Sequence, residues 1–233
     1  MKNYVENQSL GKFFRTIGYI LIFVATSLIS MTILFDSNTE IVLIDTIRET
    51  LQPLQDVVLT VEFLQNGFYQ LLFFYIGMVL IFWTLVKSTF VKLVQTLIFT
   101  GVFVLIFYSQ DMSFIPITFI NPDWLVDALA LVDSFLNQVI SVNEFVAPLA
   151  ALVGTLLIWQ LFATKKPKRI ATFFLRAGSI VLFLAVLSIF ATRAFEEFFD
   201  TSIFDTIRLY LYIVSYDFFI LGSAFGILGF MRK

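Results

Sequence analysis

The chain of 233 residues contains no cysteine and no histidine. Without thiols there is no disulfide framework and no cysteine nucleophile, and the redox compartment leaves no mark on the sequence. Without imidazole there is no Ser-His-Asp triad. Without either side chain there is no His- or thiolate-ligated zinc, haem or iron–sulfur site. Charge is scarce too: Asp, Glu, Lys and Arg make up 14% of the chain, against 59% hydrophobic residues. A soluble domain needs more polar side chains than that to cover its surface. There is no P-loop, no glycine-rich nucleotide turn and no nucleic-acid-binding surface. The expectation is a non-enzymatic protein without cofactor or metal, with the lipid bilayer as its main surroundings.

What is present are six apolar stretches: Ile17–Phe35, Phe68–Val86, Leu93–Tyr108, Val146–Ala163, Phe174–Thr192 and Tyr210–Phe230. Each is near the ~20 residues that cross a ~30 Å hydrocarbon core as a helix. Thirty phenylalanines fit a chain whose side chains mostly face lipid or other helices. The first stretch follows Lys12 and Arg15 but lacks a small-residue cleavage site with a polar exit, so it reads as a retained span.

Charge sign sets the expected orientation. In a six-span arrangement, 12 of the 15 Lys and Arg fall on one side, including Lys165, Lys166, Lys168 and Arg169 in a single loop. Fifteen of the 17 acids fall on the other side, within 36–62, 111–144 and 196–205. The positive-inside rule then places both termini in the cytoplasm of a plasma-membrane protein. The basic loop reads first as topology and attraction to anionic headgroups, and second as a contact for a specific partner.

The acidic segments carry helical periodicity. In 41–64, Ile44, Ile47, Leu51, Leu54, Val58 and Val61 recur every three or four residues, with a bend expected near Pro53. A second helix is expected from Asn121 as cap and Pro122 as first helical residue, with Leu125, Leu129, Val132, Leu136 and Val139 on one face. A third, short and aromatic, carries Phe195, Phe198, Phe199 and Phe204 among acids. All three read as amphipathic helices at the outer interface. The other reading is partner-binding segments that order on contact.

Shifting the chain by 160 residues aligns Lys12–Arg48 with Thr172–Arg208 at 13 identities in 37 positions, where about three are expected by chance. They include Gly18/Gly178, Ala25/Ala185 and Thr32/Thr192, and end in Asp-Thr-Ile-Arg at Asp45–Arg48 and again at Asp205–Arg208. A fainter middle unit matches Gly77 with Gly154. The expected fold is all-α: six transmembrane helices in one membrane domain, 1–233, arranged as three parallel hairpins, each with an outer-face amphipathic helix. The units are approximately 11–90, 91–170 and 171–233. Asp45 with Arg48, and Asp205 with Arg208, are placed to cap or pair locally at i, i+3.

Within the spans, Asp217 is the one acid. Intramembrane carboxylates are rare because charge is costly there. The residue reads as a proton carrier or cation ligand, or else as a neutral or vestibule-reaching group bonded to a neighbouring span. Tyr216-Asp217 and Tyr69-Gln70 form a possible shared polar layer. Gln95, Thr84, Trp83 and Gln160 read as helix-to-helix hydrogen bonds. Gly18, Gly178, Gly154, Gly222 and Gly226 read as packing positions where backbones approach.

Two functions follow. Few polar groups within the spans and large acidic outer segments favour an accessory subunit of a membrane-protein complex, or an outer-face recognition protein of immunity type. The alternative is a transporter or channel-like small-ligand binder using Asp217 in the bundle. A carboxylate-based metalloenzyme ranks below both, because the outer acids are spread along helix faces.

Overall fold

The computed structural model describes residues 2–36, 49–50, 52–53, 62–108, 120, 122–140, 146–163, 170–195 and 202–231. Among them there is no strand. The helices are α1 (Lys2–Asp36), α2 (Glu62–Gln65), α3 (Gly67–Leu85), α4 (Thr89–Tyr108), α5 (Asp123–Ile140), α6 (Val146–Ala163), α7 (Ile170–Phe195) and α8 (Ser202–Met231). A helix satisfies every backbone donor and acceptor inside one segment, which is what apolar runs of this length need in hydrocarbon. Five helices are long and apolar enough to cross a membrane: Leu10–Phe35, Gly67–Leu85, Thr89–Phe107, Ile170–Ala194 and Ile203–Gly229. The apolar part of α6, Val146–Phe162, is shorter.

The long helices pack as neighbours in chain order. α1 lies on α3, α4 on α6, α7 on α8 and α6 on α7, and α8 returns to lie on α1. α3 and α4 meet more loosely. Their seam is filled by rings: Tyr75 stacks on Phe99 at 5.5 Å and Phe82 meets Phe99 edge-on at 5.6 Å. Trp83 Nε1 donates to Thr96 Oγ1 at 2.9 Å, and the Tyr75 and Thr100 hydroxyls share a hydrogen bond across the same seam.

Glycines set the closest approaches. A Cβ on Gly18 would lie 2.8 Å from the Gly77 carbonyl oxygen, and one on Gly77 would lie 2.8 Å from that of Gly18, so α1 and α3 touch backbone to backbone. Gly178 admits α8, and there Ser215 Oγ donates to the Gly178 carbonyl at 3.0 Å. Gly154 faces Val102 across α6 and α4. The two glycines of the Gly222-x-x-x-Gly226 pair serve different neighbours, Leu175 of α7 and the Tyr19 ring of α1. At the ends of α1 and α3 rich in Lys and Arg, the Arg15 guanidinium donates to the Thr84 hydroxyl and carbonyl at 3.3 and 3.2 Å.

Positions matched at a spacing of 160 have like surroundings. Ala25 and Ala185 are fully buried, Ile29 and Ile189 are buried, and Ile20 and Ile180 are each 43% exposed. Thr32 and Thr192 both donate to the carbonyl four residues back at 3.0 Å.

At the acidic end the expected boundaries shift. The Pro122 carbonyl accepts from Leu125 and Val126 N–H, so Pro122 precedes α5 instead of opening it, and Asn121 lies outside the described residues. Leu125 and Leu129 of α5 pack on Phe68 and Phe107, while Asp123, Asp127 and Asp133 are exposed. Phe204, Asp205 and Arg208 are not part of a separate outer helix. They belong to the first turns of α8, which starts eight residues before the expected Tyr210. Apolar residues there continue the α8 register, so the spanning helix simply runs on. Most of the expected helix in 41–64, Asp45 and Arg48, the loop Lys165–Arg169, and Phe198 and Phe199 lie outside the described residues.

One residue missed in the sequence organises this end. Asn66 caps α3, accepting from Phe68 N–H at 3.0 Å, and also accepts from Ile120 N–H at 3.1 Å while its Nδ2 donates to the Ile120 carbonyl at 2.6 Å. Its signal was present: an Asn directly before an apolar helical run is a preferred cap.

The glycine contact gives a direct expectation. Gly77→Ala forces a methyl against the Gly18 carbonyl and should lower stability in mild detergent by about 1–3 kcal/mol. Gly101→Ala, where a Cβ meets open space, should leave stability unchanged or slightly raised. Equal responses in thermal unfolding would contradict the backbone contact.

Candidate functional site: a polar outward face and an apolar cavity

The polar layer expected from Tyr69, Gln70, Tyr216 and Asp217 does not form as a unit. Gln70 is buried at the acidic end of α3, where Nε2 donates to Thr32 Oγ1 at 3.2 Å and to the Leu64 carbonyl at 2.7 Å. It ties α3 to α1, and its Oε1 has no partner among the described residues. Tyr69 packs against the Phe68 cluster, its ring edge-on to Phe68 at 5.2 Å. Tyr216 points into the bundle, and Asp217 points out of it.

The register of α8 explains that split. Tyr212, Ser215, Tyr216, Phe219, Gly222 and Ser223 are buried, at three- and four-residue spacing. The exposed positions Ile203, Ile207, Tyr210, Val214, Leu221, Phe225 and Leu228 form the opposite stripe. Asp217 is exposed and falls in that stripe, three residues after Val214 and four before Leu221. In the apolar segment Ile203–Gly229 it lies fourteen residues from one end and twelve from the other. At 1.5 Å per residue that is about 20 Å from either end of the segment. The one acid within the apolar run Tyr210–Phe230 therefore sits on the outer surface of the helix ring.

The second copy of the Asp-Thr-Ile-Arg motif pairs as its spacing allows. Arg208 donates to the Asp205 carboxylate, and also to Thr192 Oγ1 of α7 at 3.5 Å. Exposed pairs of this kind contribute little stability, and here the guanidinium mainly fixes α8 against α7.

A partly open cavity of about 100 Å³ is bounded by α3, α4, α6, α7 and α8. Its wall is almost wholly apolar, with Phe74, Phe103, Phe107 and Ile158 prominent. The polar-bearing exceptions are Tyr75, Thr155, Tyr212 and Tyr216. The Thr155 hydroxyl is committed to the Leu152 carbonyl at 2.8 Å. The Tyr212 ring stacks on that of Tyr216 at 6.3 Å, is 1% exposed, and its hydroxyl has no partner among the described residues. Two tyrosines at i, i+4 on an inward face were the available signal. Tyr212 passed unremarked, because an aromatic stripe in an apolar helix resembles ordinary packing.

Of the other polar residues in the spans, Trp83 and Thr84 make the cross-helix bonds described above. Gln95 is half-buried, with Oε1 unpartnered among the described residues, and Gln160 is exposed. Compared with known proteins, the chain matches no family model, no curated protein and no solved structure.

The two buried polar residues should respond oppositely. Gln70→Leu removes two cross-segment bonds and should lower stability in detergent by about 0.5–2 kcal/mol. Tyr212→Phe removes an unpaired hydroxyl and should leave stability unchanged or raise it by up to about 1 kcal/mol. A clear loss on Tyr212→Phe would show that the hydroxyl is bonded in the ligand-free protein.

Proposed function

We propose that the chain is a non-enzymatic multi-pass protein of the plasma membrane that works as a subunit of a membrane-protein complex. It crosses six times as three parallel hairpins, α1–α3, α4–α6 and α7–α8, with both termini in the cytoplasm. Support for the hairpins comes from the glycine contact each contains, Gly18 with Gly77, Gly154 with Val102, and Gly178 with Ser215. The like burial of positions 160 apart supports it too. The short α6 spans by local thinning of the bilayer, at modest cost. The acidic outer segments, α5 among them, lie along the outer interface.

The observation that carries the subunit reading is Asp217. Ionisable residues within a membrane almost always face a bundle interior, a water-filled space or a partner group. Asp217 faces outward, so the interior it belongs to is completed by another helix. That helix presents a Lys, an Arg or a hydrogen-bond donor at the same level. A second copy of this chain brings no Arg to that level, since Arg15, Arg176, Arg193 and Arg208 lie toward the ends of the apolar segments. A basic partner group therefore comes from a different integral membrane protein. The transport reading is the weaker one, because Asp217 is outside the bundle and the cavity wall carries no charged side chain.

A photo-crosslinking amino acid at Val214 or Leu221, on the same face as Asp217, tests this in native membranes. The expected product is a discrete adduct with another membrane protein. Its yield should fall about tenfold in Asp217→Leu and largely persist in Asp217→Asn, which keeps hydrogen-bonding capacity. The same group at Leu97, exposed on α4, should give lipid adducts only. Lipid adducts alone from all three positions would remove the subunit reading. An adduct of twice the chain's mass would replace the foreign partner with a second copy.

A further inference from the structure

The second helices of the three hairpins, α3, α6 and α8, correspond position by position. Gly18 meets Gly77 and Ile81 as Gly178 meets Ser215 and Phe219. At the same spacing, Gln70 donates to Thr32 as Arg208 does to Thr192. In the middle hairpin Gly154 meets Val102 as Gly77 meets Ile22. Burial follows the correspondence: Gly77, Gly154 and Ser215 are buried, and so are the residues one and four positions after each. Two positions after each stand Val79, half-buried, and Leu156 and Asp217, both exposed. The same packing is thus built three times and carries an acid at this position only once. Asp217 is no requirement of the scaffold, and only the third hairpin presents it.

The face around Asp217 is narrow. From Tyr210 to Phe225, α8 leaves one residue per turn exposed, because α7 and α1 pack against it. A strip of that width fits the ridge of a single helix. Its steps alternate between three and four along Ile207, Tyr210, Val214, Asp217 and Leu221, as they do where two helices mesh lengthwise at about 20°. Asp217 lies near the centre of the apolar segment, so one polar group opposite it sets the register of the whole contact. The matching strip of α6, Leu149, Val153 and Leu156, carries no charge, and lipid satisfies it as well as a helix would. We propose that the partner seats one transmembrane helix lengthwise on α8, one per chain, apolar but for the group that meets Asp217, and that the matching faces of α3 and α6 are left to lipid. This rests on the subunit reading above, and adds the number, course and register of the contact.

The test uses the full chain in native membranes, with a photo-crosslinking amino acid placed singly at Ile207, Val214, Leu221 or Leu228. All four are exposed, so the replacement leaves the packing of α8 intact. The same group goes at Leu156 and at Ile76 on the matching faces of α6 and α3. Adducts are mapped to peptides by mass spectrometry. The four α8 positions should mark one segment of one partner, each site about seven residues on from the last in a constant direction. Leu156 and Ile76 should give no partner adduct. Adducts confined to Val214 and Leu221, spread over two partner segments, or advancing in no constant direction would overturn the single lengthwise helix. The same partner adduct from Leu156 or Ile76 would overturn its restriction to α8. In those results the subunit reading stands, because Val214 and Leu221 still capture the partner. An adduct of twice the chain's mass would overturn the foreign helix. Lipid adducts alone at Val214 and Leu221 would remove the subunit reading and the seated helix together.

Discussion

Hydrocarbon as solvent is the constraint on which everything else in this structure rests. Lipid tails are as apolar as leucine, so helices gain little by hiding apolar side chains from them. What holds helices together is close packing and the occasional hydrogen bond. The structure follows that rule at each tight interface: Gly18 on Gly77, Gly178 beneath Ser215, Gly154 beside Val102, and Gly222 and Gly226 under Leu175 and Tyr19. The chain-order arrangement, with α8 returning to α1, is a direct outcome of where those small residues fall. α3 and α4 lack such a contact, and there bulky rings and two hydroxyl bonds fill the wider gap.

The same solvent explains the economy of interior polar groups. Thr26, Ser179, Ser188 and Ser223 each donate to a carbonyl three or four residues back in their own helix. Such bonds hide a hydroxyl without a partner helix. Against that background Asp217 and Tyr212 stand out, since neither is satisfied within its own helix. They lie five residues apart on α8 and face opposite ways. One helix thus presents an acid to the outside of the ring and a phenol to its interior.

Much of this was legible in the residues. The apolar runs, the uneven charge and the shared glycine at 18 and 178 all follow from local pattern, and α3, α4, α6 and α7 fall close to where hydropathy places them. The facing of Asp217 was not legible, because α8 is apolar almost all round and period alone does not separate a lipid stripe from a bundle stripe. Packing fixes that rotation, through Ser215 on Gly178, Gly222 on α7 and Gly226 on α1. The start of α8 was missed for a related reason: by polarity Asp205 falls with the short outer helix expected around Phe204, yet Asp205 and its partner Arg208 lie in the first turns of the spanning helix. The cavity has no signature in sequence, since it is the space left where five helices fail to meet.

The account's central claim is that six crossings hold the basic segments on one side of the bilayer and the acidic segments on the other. Because the chain has no native cysteine, each introduced thiol is the sole target of a maleimide. In intact cells a membrane-impermeant maleimide should label Ala128→Cys on α5, and should label Lys166→Cys only after the membrane is permeabilised. Labelling of Lys166→Cys in intact cells, or the same response from both positions, would contradict it.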